Sequence, residues 1–112
     1  MLLIGIVRIL ISLHINASKN IAENGVSAYV SKQNIFYEKS LESAKTLVEK
    51  ISNEKLAKGE VKDANLFLIK NSKCPALLLE VGYLSNENDK TYITSENGQN
   101  EIAKKIFEFI KK

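Results

Sequence analysis

The sequence predicts an α/β domain: a mostly parallel, twisted sheet with amphipathic helices on its faces. Three observations carry this. Two near-continuous apolar runs, at residues 9–15 and 76–79, have the length and composition of strands buried in a sheet. Two longer segments, near residues 36–57 and 97–111, repeat apolar residues at helical spacing. The strand-like and helix-like segments also interleave along the chain, the order that packs helices over a sheet.

Taken in order, residues 1–13 are almost wholly apolar, broken by Gly5, Arg8 and Ser12. A membrane-crossing helix needs about 20 such residues, so no transmembrane span is expected. A signal peptide would carry a basic stretch before its apolar part, and this run does not, so it makes no convincing export signal. Residues 1–8 read as an atypical lead-in and residues 9–15 as a buried strand. Asn16 to Asn20 is turn chemistry. Residues 21–24 are expected to form one helical turn, closed by Gly25. Val26-Ser27-Ala28-Tyr29-Val30 alternates and is rich in β-formers, giving a strand that ends near Ser31.

A long helix is expected from about Phe36 to Ala57. Leu41, Ala44, Leu47, Val48 and Ile51 form its apolar face, and Lys39, Glu42, Lys45, Glu49 and Lys50 a solvated one. Gly59 lies at or just beyond its stop. Residues 61–65 read as polar loop and Leu66-Phe67-Leu68-Ile69 as a short strand. Pro75 then opens the next strand, where a missing N–H does least harm. Residues 76–79 are apolar at every position, which suits a strand covered on both faces. Residues 85–89 read as loop. A last helix is expected from about Asn97 to Lys111, with Ile102, Ala103, Ile106, Phe107 and Ile110 facing the core.

Composition bounds the rest. With 112 residues there is room for one domain and one modest core. Hydrophobic residues make up 45% and the charges are mixed, which argues against disorder. A net charge of +3 with interleaved signs does not describe a nucleic-acid binder. Cys74 is the only cysteine, so no internal disulfide and no cysteine-based zinc cluster is expected.

Two ionisable residues stand out. His14 is the only histidine and sits where an apolar strand gives way to a polar turn. Two readings stay open for it, a hydrogen-bonded structural histidine or a ligand or acid–base group. Glu80 follows Ala76-Leu77-Leu78-Leu79, where a carboxylate is costly to bury unless it is paired, metal-bound or protonated. A carboxyl in an apolar cleft has a raised pKa, which suits general base work near neutral pH. In α/β sheets ligands collect at the carboxyl ends of parallel strands. If these two strands are parallel neighbours, His14 and Glu80 reach one crevice. Cys74 lies at the other end of the Glu80 strand, on the order of 20 Å away at ~3.3 Å per residue, and reads as a small packed residue.

The residues also resemble a known family. Ile11-Ser12-Leu13-His14-Ile15-Asn16-Ala17 is similar to the SLHxNA signature of the zinc-dependent N-acetylmuramoyl-L-alanine amidases of the amidase_3 type. Gly25-Val26 with Tyr29-Val30-Ser31 resembles the next strand of that family, and Lys62-Asp63-Ala64-Asn65-Leu66 its lead into another. Pro75-Ala76-Leu77-Leu78-Leu79-Glu80-Val81-Gly82-Tyr83-Leu84-Ser85-Asn86 resembles the PavLvElGFlsN segment. Ile102-Ala103 with Ile106 resembles the closing helix. The resemblance spans about residues 9–111.

It implies hydrolysis of the amide between N-acetylmuramic acid and L-alanine in peptidoglycan, at the cell envelope, periplasmic or extracellular. It implies that His14 is a zinc ligand, that Glu80 is the catalytic carboxylate, and that Asn16 helps shape the substrate-binding site. It also implies a shortfall. A catalytic zinc needs three protein ligands and an open position. The family supplies a histidine in a Gly-His-Gly context and a helix-borne glutamate upstream of the SLHxNA strand. Thirteen residues precede His14 here, and no second histidine exists. The sequence therefore reads as the C-terminal part of an amidase catalytic domain, residues 9–112, lacking the family's first strand or strands and helix, with an incomplete Zn2+ site. A dimer or a complementing N-terminal segment is the expected consequence of the uncovered sheet. The alternative is a catalytically inactive remnant that binds cell wall or a partner.

Overall fold

The computed structural model describes residues 9–111. The sequence-based lead-in at residues 1–8 lies outside the described residues. Eight elements follow in order: β1 (Leu10–Asn16), β2 (Val26–Val30), α1 (Tyr37–Ile51), β3 (Lys58–Asp63), α2 (Phe67–Lys70), β4 (Ala76–Tyr83), α3 (Glu87–Ile93) and α4 (Glu96–Lys111).

The four strands form one sheet in the order β1-β4-β2-β3. β1 with β4 and β2 with β3 are parallel, and β2 with β4 is antiparallel. The sheet is thus mixed, with parallel pairing in two of its three ladders. β4 is interior because it is the most apolar strand, and among the described residues β1 and β3 are the outermost strands.

The core lies on one face of this sheet. Val26, Ala28, Val30, Leu77, Leu79 and Val81 alternate onto it and meet Ala44, Leu47, Val48 and Ile51 of α1. Ile93 and Ile102 close it from α3 and α4. The helical spacing expected for α1 therefore places the residues named for it, with Leu41 only partly buried. β4 is covered less evenly than its sequence suggests. Leu77 and Leu79 are fully buried, while Leu78, on the opposite face, is half-buried.

Several sequence expectations give way to tertiary structure. Residues 21–24 form no helical turn. Asn20 O accepts from Glu23 N–H at 3.1 Å and its side-chain oxygen from Ala22 N–H at 3.0 Å, which makes a tight polar turn instead. α1 ends at Ile51, six residues before Ala57, because Asn53 and Leu56 exchange backbone bonds of 2.9 and 3.2 Å that turn Leu56 into the core. Residues 58–63, most of which read as helix stop and polar loop, are strand β3. Its charged side chains face out while its backbone completes the ladder beside β2.

Leu66-Phe67-Leu68-Ile69 is not a strand. Residues 67–70 make one helical turn in which only Ile69 is buried. The place beside β2 is already taken by β3. This segment instead crosses back to the start of β4, tethered by the Asn34 amide donating to Ile69 O at 2.8 Å and Ser72 O at 3.0 Å. Residues 87–93, expected to begin as loop, form α3. The Asn86 side chain caps it by accepting from Asp89 N–H at 3.0 Å. In α4 the core face is Ile102 with Ile106 and Phe109. Ala103, Phe107 and Ile110, expected to face inward, are exposed.

Candidate active site

The face of the sheet opposite the core carries the polar residues of β1. Alternation along an extended strand sends Ser12, His14 and Asn16 to this side and Ile11, Leu13 and Ile15 to the other. β1 and β4 run parallel, and His14 is the register partner of Glu80. The strands thus bring together the two groups singled out in the sequence, at adjacent positions near their carboxyl ends.

The register then shifts by one residue. His14 pairs with Glu80 and Asn16 with Tyr83, so Val81 and Gly82 of β4 stand against Ile15 alone. Gly82 takes φ +119°, where a side chain is strained, and a Cβ there would lie 3.1 Å from Leu56 Cδ1. The bulge leaves Asn16 beside Glu80, and Asn16 Nδ2 donates to Glu80 Oε1 at 3.0 Å. Asn16 also fixes the turn that follows, accepting Ala17 N–H on its side-chain oxygen at 2.8 Å.

Glu80 is half-buried. Burial pushes its carboxyl above the ordinary value of 4.5, and the nearby His14 pulls in the opposite direction. Tyr83 adjoins the same site. Its phenol is pushed above 10.0, first by burial, then by the charges of Glu23 and Glu80 and by Tyr29, against a hydrogen bond from Asn16. Sequence reasoning did not single out Tyr83, although it lies three residues after Glu80. His14 is exposed, and its Nε2 lies 2.8 Å from Ser12 Oγ. His14 thus has a hydrogen-bond partner and also faces solvent beside a carboxyl.

A second carboxylate supports the site from behind. Asp89 is 2% exposed and accepts Gly25 N–H at 2.8 Å and Tyr83 N–H at 3.0 Å. It ties the start of β2 to the end of β4, the end that carries Glu80. The sequence signal for it was available in Asn86-Glu87-Asn88-Asp89, an N-cap followed by acidic residues. Cys74 lies before β4, away from Glu80, with its sulfur 3.5 Å from Ser72 Oγ.

The donor set does not suit a hydrolytic zinc on its own. Such a site needs three protein ligands with one position open. Here one imidazole and one carboxylate meet, and among the described residues no group of three or more His, Cys, Asp or Glu side chains could hold a metal.

The model of the N-acetylmuramoyl-L-alanine amidase family, Amidase_3, matches residues 7–112. The chain is 30% identical to the "Probable cell wall amidase LytH" of Staphylococcus saprophyticus, over 88% of this chain and 32% of that protein. Its fold is similar to the catalytic domain of CwlV, an N-acetylmuramoyl-L-alanine amidase from Bacillus (Paenibacillus) polymyxa var. colistinus. There the TM-score is 0.77 at 29% identity, over 91% of this chain and 55% of that one. It is equally similar to the CwlD amidase of Clostridioides difficile, solved with the GerS lipoprotein, with a TM-score of 0.78 at 29% identity over 92% and 52%. The chain thus spans between about a third and about half of these relatives' lengths. On the match across almost its whole length, and on a fold shared with these enzymes, the chain belongs to the N-acetylmuramoyl-L-alanine amidase family.

Proposed function

We propose that this chain serves the hydrolysis of the amide between N-acetylmuramic acid and L-alanine in peptidoglycan, at the cell envelope, with Glu80 as the proton-transfer group. One observation carries the reading. A carboxyl with a raised pKa stands in register with the only histidine, at the carboxyl ends of two parallel strands. Family membership supplies the bond to be cleaved.

In this reading Glu80 removes a proton from the attacking water as its oxygen bonds to the amide carbon. It then returns that proton to the nitrogen as the C–N bond breaks, which releases a neutral amine. A pKa raised by burial favours both steps, since the carboxylate is a stronger base and the acid form persists nearer neutrality. Asn16 orients the carboxylate through Oε1, leaving Oε2 for the proton. Asn16 and the Tyr83 phenol then border the substrate. His14 is the chain's own nitrogen donor toward zinc, but the present donor set does not complete that site.

Turnover of purified muropeptides tests the reading. Glu80→Gln keeps the shape and removes the proton acceptor, so the rate falls by about 10²–10⁴-fold. Activity that persists in both Glu80→Gln and His14→Ala overturns the roles assigned here. The shortage of metal donors favours a second reading, a wall-binding module without catalysis. It predicts that wild type and Glu80→Gln bind isolated sacculi equally and that neither releases product.

A further inference from the structure

A polar cleft of about 690 Å³ opens at the end of the sheet where β4 finishes and β2 and β3 begin. β1 enters the sheet at the opposite end, where Leu10 is the register partner of Ala76. Asn24 and the turn before β3 form one wall of the cleft. Asn88, Asp89 and Asn97, from α3 and the start of α4, form the other. These helices lie on the core face, whereas Glu80, between the core residues Leu79 and Val81, points to the other face.

Much of the lining is committed to the fold. Asn86 accepts from Asp89 N–H and donates to Ile21 O. The Tyr92 hydroxyl donates to Glu101 and accepts from Asn53. Four polar groups keep bonding capacity. The exposed side chains of Asn88 and Asn97 make no hydrogen bond among the described residues. Asn24 uses only its Nδ2, which donates to Ala22 O at 3.0 Å. The Asp89 carboxylate uses only Oδ2, which accepts both Gly25 N–H and Tyr83 N–H. Among the described residues no buried side-chain oxygen or nitrogen lacks a partner. Asp89 Oδ1 therefore reaches the surface although the residue is 2% exposed, and the surface it lines is this cleft.

That set of groups selects a ligand chemistry. A fixed carboxylate oxygen repels anions, and Lys55 and Glu54 at the rim offset one another. Among the described residues no group of three or more His, Cys, Asp or Glu could hold a metal there. Side-chain amides both donate and accept, and a carboxylate accepts strongly from hydroxyls. Three amides around one carboxylate oxygen match an uncharged ligand dense in hydroxyl and acetamido groups.

We propose that this cleft is a second sugar-binding site, which holds an uncharged oligomer of N-acetylated hexosamine across the end of β4 from Glu80. Asp89 joins the two places: Oδ2 holds Tyr83 N–H beside the Glu80 site, and Oδ1 meets a sugar hydroxyl. The choice of an acetamido sugar rests on the hydrolase reading above, whereas the preference for an uncharged, hydroxyl-rich ligand does not.

Titration of the 112-residue chain with the N-acetylglucosamine tetramer, followed by side-chain amide NMR, tests this. The probe is uncharged and contains no scissile amide to L-alanine. The Asn88 and Asn97 amide signals should shift saturably, with Kd on the order of 1 mM. Asn88→Ala and Asn97→Ala should each weaken binding by about three- to tenfold, the loss of one or two neutral hydrogen bonds. Both residues are exposed, so both variants should keep the wild-type circular dichroism spectrum. The glucose tetramer, which lacks acetamido groups, should bind more weakly. The absence of any saturable shift overturns the proposal. So do shifts confined to His14 and Asn16, or a cleft that responds to ethylammonium and not to the sugar. Failure of the hydrolase reading shows elsewhere, as turnover indifferent to Glu80→Gln, and leaves the binding result standing.

Discussion

Glu80 is where the residue scale matters most, because its environment and its proposed chemistry rest on the same free energy. Partial burial disfavours the carboxylate, so the folded chain holds a proton on Glu80 to higher pH than the unfolded chain does. The sign follows directly. Relative to an uncharged isostere, the stabilising contribution of Glu80 is fully present below 4.5 and is lost as pH rises through the raised value. Glu80→Gln should therefore flatten the stability profile on the neutral side of 4.5, read as urea midpoints across pH. A profile as steep as that of wild type would count against burial as the cause. Asn16→Ala removes the amide that donates to Oε1, a bond that favours the charged form. It should raise the Glu80 pKa further in a carboxyl NMR titration. His14 and Glu80 were legible as candidates because each interrupts an apolar run. Tyr83 was not, because only the β4 bulge beside Asn16 brings its phenol to the site.

At the scale of elements, the site depends on how β4 ends. The strand bulges at Val81 and Gly82, turns at Asn86 and enters α3, whose first turn places Asp89 beneath the bulge. Asp89→Ala would strand two N–H groups, those of Gly25 and Tyr83. At about 1–3 kcal/mol for each buried unsatisfied group, a loss of a few kcal/mol is expected by chemical denaturation. Gly82→Ala should also destabilise, because φ +119° disfavours a side chain and Leu56 Cδ1 leaves little room. A variant as stable as wild type at either position would show that the bulge does not need this support. The elements the sequence misplaced share a cause. Four apolar residues at 66–69 fit a strand or a helix equally, and β3 is too charged to announce itself. Their states depend on which sheet edge is free, and that is not local information.

For the whole molecule, the asymmetry of the sheet is the main consequence. α1 covers β2, β4 and β3 so fully that Leu47 is 0% exposed among them, while β1 and the outer stripe of α4 keep apolar side chains in solvent. Stability is concentrated under α1. Leu47→Ala should cost about 2–5 kcal/mol, seen as a lower denaturant midpoint with an unchanged slope. The same truncation at Leu13, half in solvent, should cost a monomer much less. Equal losses at the two positions would mean that Leu13 is already covered in solution. No helix among the described residues is long and apolar enough to cross a membrane.

The sequence by itself determined the α/β class, both long helices, the strands bearing His14 and Glu80, and the family, because each is written in a local pattern or a contiguous signature. Tertiary structure alone decided that β1 and β4 are parallel neighbours in the register that sets His14 against Glu80. It alone decided that a charged segment becomes an edge strand and an apolar one a helical turn. Strand order and register come from long-range burial of one sheet face, a sum over the whole chain that no single stretch records. Only that sum sets His14 on the outermost described strand, with the Glu80 carboxylate beside it and an exposed apolar residue on either side.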